Sequence, residues 1–268
     1  MREAVEAKWV EGTITSDDGT TIAWSRAGTG PDLVMVHCVG VSRRTTPQPT
    51  LADALSARFT VWTYDRRGKG QSDNADDDYD VQREIDDLTA IIRLASGPVT
   101  VYGFSSGATL SLIAAEAGAP IDRLALLEPP LNDESDPQGE LRAEGARQLR
   151  AGPDVLHRWY HTDVVGVPEE VLAELGPPSE ESLRDAPTLL HELSFLPGTP
   201  AKRFASVRQP TLVLASDSTV PIMHVWGRQL EDALPRAQFV VLPGEWHGVD
   251  DATLVQAIGA FVPGVGAA

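Results

Sequence analysis

Cysteine is almost absent from this chain. Cys38 is the only one in 268 residues, which excludes an intrachain disulfide and any cysteine-built metal framework. No apolar run approaches the length of a membrane span, and the opening MREAVEAKWVEGT has no apolar signal core, so a cytoplasmic protein with no membrane partner is expected. Basic residues are outnumbered: 22 Lys and Arg against 39 Asp and Glu give a formal net charge of −17. That balance repels nucleic acid and anionic bilayers. An H-x-x-H pair and a glycine-rich phosphate loop are also missing, so no metal and no cofactor is implied.

What remains is an ordinary globular composition, 42% hydrophobic and 23% charged, long enough for a sizeable core. No repeat period appears, and the acidic run at 76–78 is too short to be a low-complexity tail. GTITSDDGTTIAWSRAG reads as a hairpin around Asp18-Gly19. DLVMVHC (32–38) and FTVWTYD (59–65) are apolar runs of the kind that form strands buried on both faces. Asp80 is a candidate N-cap for a helix carrying Val81, Ile85, Leu88 and Ile92 at helical spacing. Then come VTVYGF, an apolar helix and RLALLEPP (123–130). After an interval the alternation resumes with PTLVLAS (210–216), a helix at 223–234, QFVVLPG (238–244) and a helix at 251–261.

Such alternation predicts an α/β fold, a mostly parallel central sheet flanked by helices. Residues 131–207 contain no strand-like run. Pro168 and Gly176 bracket one short helix, and Leu189, Leu190, Leu193 and Leu196 mark another. This segment is read as an inserted helical cap, and residues 1–130 and 208–268 as the core.

The stretch VTVYGFSSGA contains G-x-S-x-G with Ser105 at its centre, after a β-branched strand and before an apolar helix. This context suits a nucleophile elbow, where a sharp turn lifts the hydroxyl above the sheet and small neighbours are obligatory. The backbone N–H of Ser106 is then an oxyanion donor, and its side chain a candidate cap for the new helix. A base is expected late in the chain. Of six histidines, His157, His161 and His191 fall in the insertion, His224 starts a helix and His37 ends a buried strand. His247, in the loop LPGEWHG between the last strand and the last helix, is the candidate base.

These features resemble the α/β-hydrolase fold with a helical cap, over nearly the whole chain. VMVHCVG stands where the family has its oxyanion stretch, and YDRRGKGQSD resembles its post-strand loop. The resemblance implies Val39 N–H as the second oxyanion donor. It also exposes two departures. Cys38 replaces a glycine that lets the backbone approach substrate; a thiol nucleophile there lacks both an elbow and a base. In LASDSTVP the position of the usual acid is Thr219, which cannot be an anion; Asp217 lies two residues early, as a possible acid or a turn stabiliser. Some members place the acid after the preceding strand, and there this chain has Glu128, in LALLEPPL. Glu128 is preferred, although an arginine partner would give it a purely structural role. Pro129 is expected to hold Glu128 extended.

The expected activity is hydrolysis of a carboxylic ester, thioester or lactone by Ser105, His247 and a carboxylate. The alternatives are a non-hydrolytic acyltransferase, cyclase or lyase, and a binding protein without catalysis. Trp159, Tyr160, Leu193, Phe195, Cys38 and Trp246 are candidates to line an apolar pocket for a small uncharged substrate.

Overall fold

The computed structural model describes residues 8–73, 79–174 and 176–265. The acidic run at 76–78 and the first seven residues lie outside them. Asp18 and Gly19 turn the chain between β1 (Val10–Thr15) and β2 (Thr21–Ala27), with Asp18 Oδ1 accepting from Thr20 N at 3.0 Å and Gly19 at φ 91°. There follow β3 (Asp32–Val36), α1 (Leu51–Ser56), β4 (Thr60–Tyr64), α2 (Val81–Ile92), β5 (Val99–Phe104), α3 (Ser106–Glu116) and β6 (Arg123–Leu127). β3 and β5 are buried along their whole length, as continuous apolar runs require of strands covered on both faces. Asp80 caps α2 by accepting from Gln82 N.

Between β6 and the next strand lie α4 (Glu140–Ala151), α5 (Pro153–Trp159), α6 (Glu169–Glu174), α7 (Glu180–Asp185) and α8 (Leu189–Phe195). α5 runs on into a π-helical turn at Tyr160–Val164. The bridge Asn132↔Thr199 pinches the ends of this segment together. Its own core comprises Leu156, Tyr160, Ala186, Leu189 and Leu193, and Val39, just after β3, packs against it. The chain then forms β7 (Thr211–Ser216), α9 (Pro221–Ala233), β8 (Ala237–Leu242) and α10 (Asp251–Phe261). The sheet order is β1-β2-β4-β3-β5-β6-β7-β8; β2 is antiparallel to both its neighbours and the other pairs are parallel. Among the described residues, no helix is long and apolar enough to cross a membrane.

A buried ionic network joins α8 to the core. Arg66 Nη1 reaches Glu192 Oε1 at 2.7 Å, and Arg66 Nε and Nη2 grip the Glu84 carboxylate of α2 at 2.6 Å each. Lys69 Nζ stands 3.4 Å from the same Glu192 oxygen. His191, beside Glu192, stacks on Tyr79 with ring centroids 4.0 Å apart. Burial by itself would raise the Glu84 carboxyl, but the Arg66 guanidinium overrides it and brings the group down to about 2 from an ordinary 4.5. A depressed carboxyl contributes stability that is complete above its unfolded value and lost as the pH falls through its folded one.

The urea midpoint is therefore expected to fall as the pH drops from about 4.5 to about 2. Glu84→Gln should cost on the order of 3 kcal/mol at neutral pH and flatten that acid fall, because the titrating group is gone. Urea unfolding followed by tryptophan fluorescence in steps of pH checks it. Parallel acid slopes for wild type and variant would contradict it.

Candidate active site

The elbow is built at the end of β5. Ser105 sits at φ 53°, ψ −127°, and its N–H donates to Leu127 O at 2.9 Å, continuing the ladder to β6. The flanking glycines are required sterically. A Cβ on Gly103 would lie 2.5 Å from Ala108 Cα, and one on Gly107 would lie 2.3 Å from the Val36 carbonyl oxygen and 2.6 Å from that of His37. α3 is thus pressed onto the end of β3, its N-terminus beginning immediately after Ser105. Ser106 does not cap it, contrary to expectation: it is already the first helical residue, and its buried Oγ has no hydrogen-bond partner among the described residues.

Glu128 follows β6 and is fully buried. Its φ is 48°, so Pro129 does not keep it extended. The bonds of its carboxylate explain why. Oε1 accepts from Ser216 N at 2.8 Å; Oε2 accepts from Thr219 Oγ1 at 2.9 Å and His247 Nδ1 at 2.5 Å. Hydrogen bonds to an ionised group contribute about 1.5–3 kcal/mol each, which outweighs a backbone cost of about 1–3 kcal/mol. Thr219, at the usual acid position, therefore donates to the Glu128 carboxylate instead.

His247 lies in a loop held by Glu245 and Gly248, which exchange backbone hydrogen bonds at 2.9 and 3.1 Å, and by Ser216 Oγ donating to Glu245 O at 2.6 Å. Its ring packs 4.9 Å from that of Phe104, the residue before Ser105. Donation from Nδ1 to Glu128 leaves Nε2 as the basic nitrogen. Among the described residues the only non-glycine positions with positive φ are Ser105, Glu128 and His247. Strained backbone of this kind concentrates where a fold aims functional side chains.

Asp217 is placed elsewhere. It is exposed, and Oδ1 accepts from Gly244 N at 3.2 Å and Ser218 Oγ at 3.0 Å, fastening the turn after β7. Among the described residues, no hydrogen bond takes the N–H of Val39 or Ser106. Cys38 belongs to the core cluster with Leu33, Met35 and Tyr102, and burial pushes its thiol up to about 12. It is a core side chain here, neither a pocket wall nor a ready thiolate.

Of the other pocket candidates, Trp159, Tyr160 and Leu193 share one apolar cluster with Val39. Phe195 packs instead into the main core, under the Arg66 guanidinium, because it follows Glu192 onto the sheet side of α8. Trp246 is 53% exposed: its ring stands outside the loop, 5.6 Å from that of His247, rather than closing a pocket. His37 bonds Thr63 Oγ1 at 2.6 Å, and burial lowers it to about 4. A cleft of about 190 Å³ lined by Trp9, Ser25, His37, Arg43, Gln48 and Thr63 contains none of Ser105, Glu128 and His247. The supporting roles of Thr219 and Ser216 were not read from sequence; the threonine where an acid is usual was the one signal available.

The description of the alpha/beta hydrolase family matches residues 33–257, and the chain belongs to that family. It is a hydrolase by that membership. An alpha/beta hydrolase from Sphaerobacter thermophilus DSM 20745 is 36% identical with a TM-score of 0.80, over 93% of this chain and 99% of that one. A 2-(acetamidomethylene)succinate hydrolase of Mesorhizobium japonicum is 24% identical over 237 residues, 84% of each chain. The enol-lactonase from Burkholderia xenovorans LB400 shares the fold, with a TM-score of 0.67 at 21% identity, over 93% of this chain and 99% of its own.

If Glu128 orients His247, Glu128→Gln should lower kcat/KM on an activated ester by about 10²-fold or more. Asp217→Asn should leave it within about threefold, as a surface turn substitution does. Steady-state kinetics with circular dichroism as a folding control decide between them. A crippled Asp217→Asn beside an active Glu128→Gln would reverse the assignment.

Proposed function

We propose that this hydrolase cleaves a carboxylic ester, thioester or lactone through Ser105, His247 and Glu128. The observation that carries the reading is the contact between the buried Glu128 carboxylate and His247 Nδ1, beside a serine held in the strained elbow. Ser105 Oγ attacks the carbonyl carbon while His247 Nε2 takes its proton. The oxyanion is received by the N–H groups of Val39 and Ser106, and Glu128 orients His247 and stabilises the imidazolium. Collapse breaks the bond to the alkoxide or thiolate, which leaves with the proton from His247. Water, deprotonated by His247, then attacks the acyl-serine and releases the acid. The non-hydrolytic alternative is motivated by Cys38 and the displaced acid; the contact of Glu128 with His247 weighs against a binding protein without catalysis.

Residues 131–207 act in this reading as a cap on the core formed by 1–130 and 208–268. The packing of Val39 against the cluster that contains Tyr160, Leu189 and Leu193 supports an apolar site beside the oxyanion donor. Arg158 of the insertion is paired with Glu169 at 2.9 Å. An uncharged apolar acyl group is favoured, since a carboxylate there loses hydration without gaining a partner.

A fluorophosphonate probe should add its mass to Ser105 in wild type and in Cys38→Ala, and to neither Ser105→Ala nor His247→Ala. Absence of labelling in wild type, with a serine hydrolase labelled in parallel, would refute the nucleophile. Labelling lost in a folded Cys38→Ala would move it to the thiol. Across an ester series, kcat/KM should rise with neutral acyl length and fall for dicarboxylate esters; a preference for dicarboxylates at low salt would reverse the substrate class. Hydrolysis in ¹⁸O water should place the label in the acid, and its absence there would favour acyl transfer.

A further inference from the structure

Two buried cations stand behind the segment that carries the Val39 N–H. Lys69 Nζ lies 3.5 Å from the Cys38 carbonyl oxygen, and Arg66 Nη1 lies 3.5 Å from that of His37. Both side chains are 1% exposed. The Cys38 carbonyl and the Val39 N–H are two ends of one peptide group, joined by amide resonance. A positive charge at the oxygen draws density from the nitrogen and strengthens its N–H as a donor. In a dry interior that polarisation is weakly screened.

Arg66 and Lys69 together balance the two carboxylates Glu84 and Glu192, but Lys69 makes the looser contact. Arg66 holds Glu192 Oε1 at 2.7 Å, against 3.4 Å for Lys69, while Glu192 Oε2 has no hydrogen-bond partner among the described residues. Burial and the neighbouring Arg66 both lower the Lys69 ammonium, so its charge is costly where it stands. Besides Arg66, the groups facing it are Glu192 from α8, Glu84 from α2 and the Cys38 thiol. A costly lysine in loose contact with its anion, and aimed at the carbonyl behind an uncommitted N–H, calls for a role beyond packing.

We propose that Lys69, anchored by Glu192, polarises the Cys38–Val39 peptide and so strengthens Val39 N–H as an oxyanion donor. The proposal rests on the reading of Ser105 as nucleophile and Val39 as its oxyanion donor. Lys69 touches no substrate; it is a positioning residue that acts through the peptide. α8 thereby influences the reaction as well as covering it.

The test compares the full-length wild type with Lys69→Met, Lys69→Arg and Lys69→Met/Glu192→Gln. The probes are a neutral activated ester and an apolar trifluoromethyl ketone, whose serine hemiketal carries the oxyanion. Lys69→Met should lower kcat by about tenfold with KM unchanged and weaken the ketone by the same factor; this is less than loss of a whole donor. Lys69→Arg, which keeps the charge, should recover most of both. The double variant leaves Arg66 opposite Glu84 and should show the same loss; it serves where the single variant does not fold. Folded variants with wild-type kcat and ketone affinity, or with losses confined to KM or thermal stability, would overturn the proposal. A wild type that forms no Ser105 adduct with ketone or fluorophosphonate would instead overturn the nucleophile reading, and this inference with it.

Discussion

A carboxylate with no access to water must be surrounded by donors, and at the end of β6 that demand organises the strand ends. Glu128 takes Ser216 N and Thr219 Oγ1 from the end of β7 and His247 Nδ1 from the loop after β8. Two separate segments are thereby tied to one side chain. Without them the anion would be left desolvated and unpaired, which is far costlier than the strained backbone that brings them together. The left-handed φ of Glu128 is a consequence: an extended residue would continue along the strand instead of crossing to β7.

A second buried charge cluster lies on the other side of the elbow. Arg66 and Lys69 come from the loop after β4, Glu84 from α2 and Glu192 from α8. Exchanging one member for an apolar residue leaves its partner uncompensated, so the network fastens α8 to α2 and the loop after β4. The same cluster abuts the carbonyls of His37 and Cys38, next to the N–H groups uncommitted at Val39 and Ser106. Structural cohesion and the electrostatics of the site therefore share residues.

Much of this architecture was legible along the chain. Buried parallel strands are continuous apolar runs, and β3, β4, β5 and β7 lie within the segments read as such. Asp18-Gly19 and Asp80 carry their own turn and cap chemistry. The helices α4, α5 and α7 carry weak local signals and are stabilised by packing on one another. The ionic network was not legible, because Arg66, Glu84 and Glu192 are charged residues whose usual place is the surface.

The sequence alone determined the elements that rest on local geometry. Between the strand and the helix at Ser105, the glycines at 103 and 107 are dictated by backbone contacts within reach of the turn itself and of the neighbouring strand. His247 was singled out by its loop and its order in the chain. Tertiary structure alone decided which acid approaches it. Glu128 and His247 are 119 residues apart, Asp217 is far nearer in sequence, and only the parallel pairing of β6 with β7 brings the earlier carboxylate to the imidazole. It likewise sent the Cys38 thiol into the core, Phe195 beneath Arg66 and the Trp246 ring into solvent. The reason is common to all of these: a side chain's direction depends on which surfaces its element meets, and those surfaces come from distant parts of the chain.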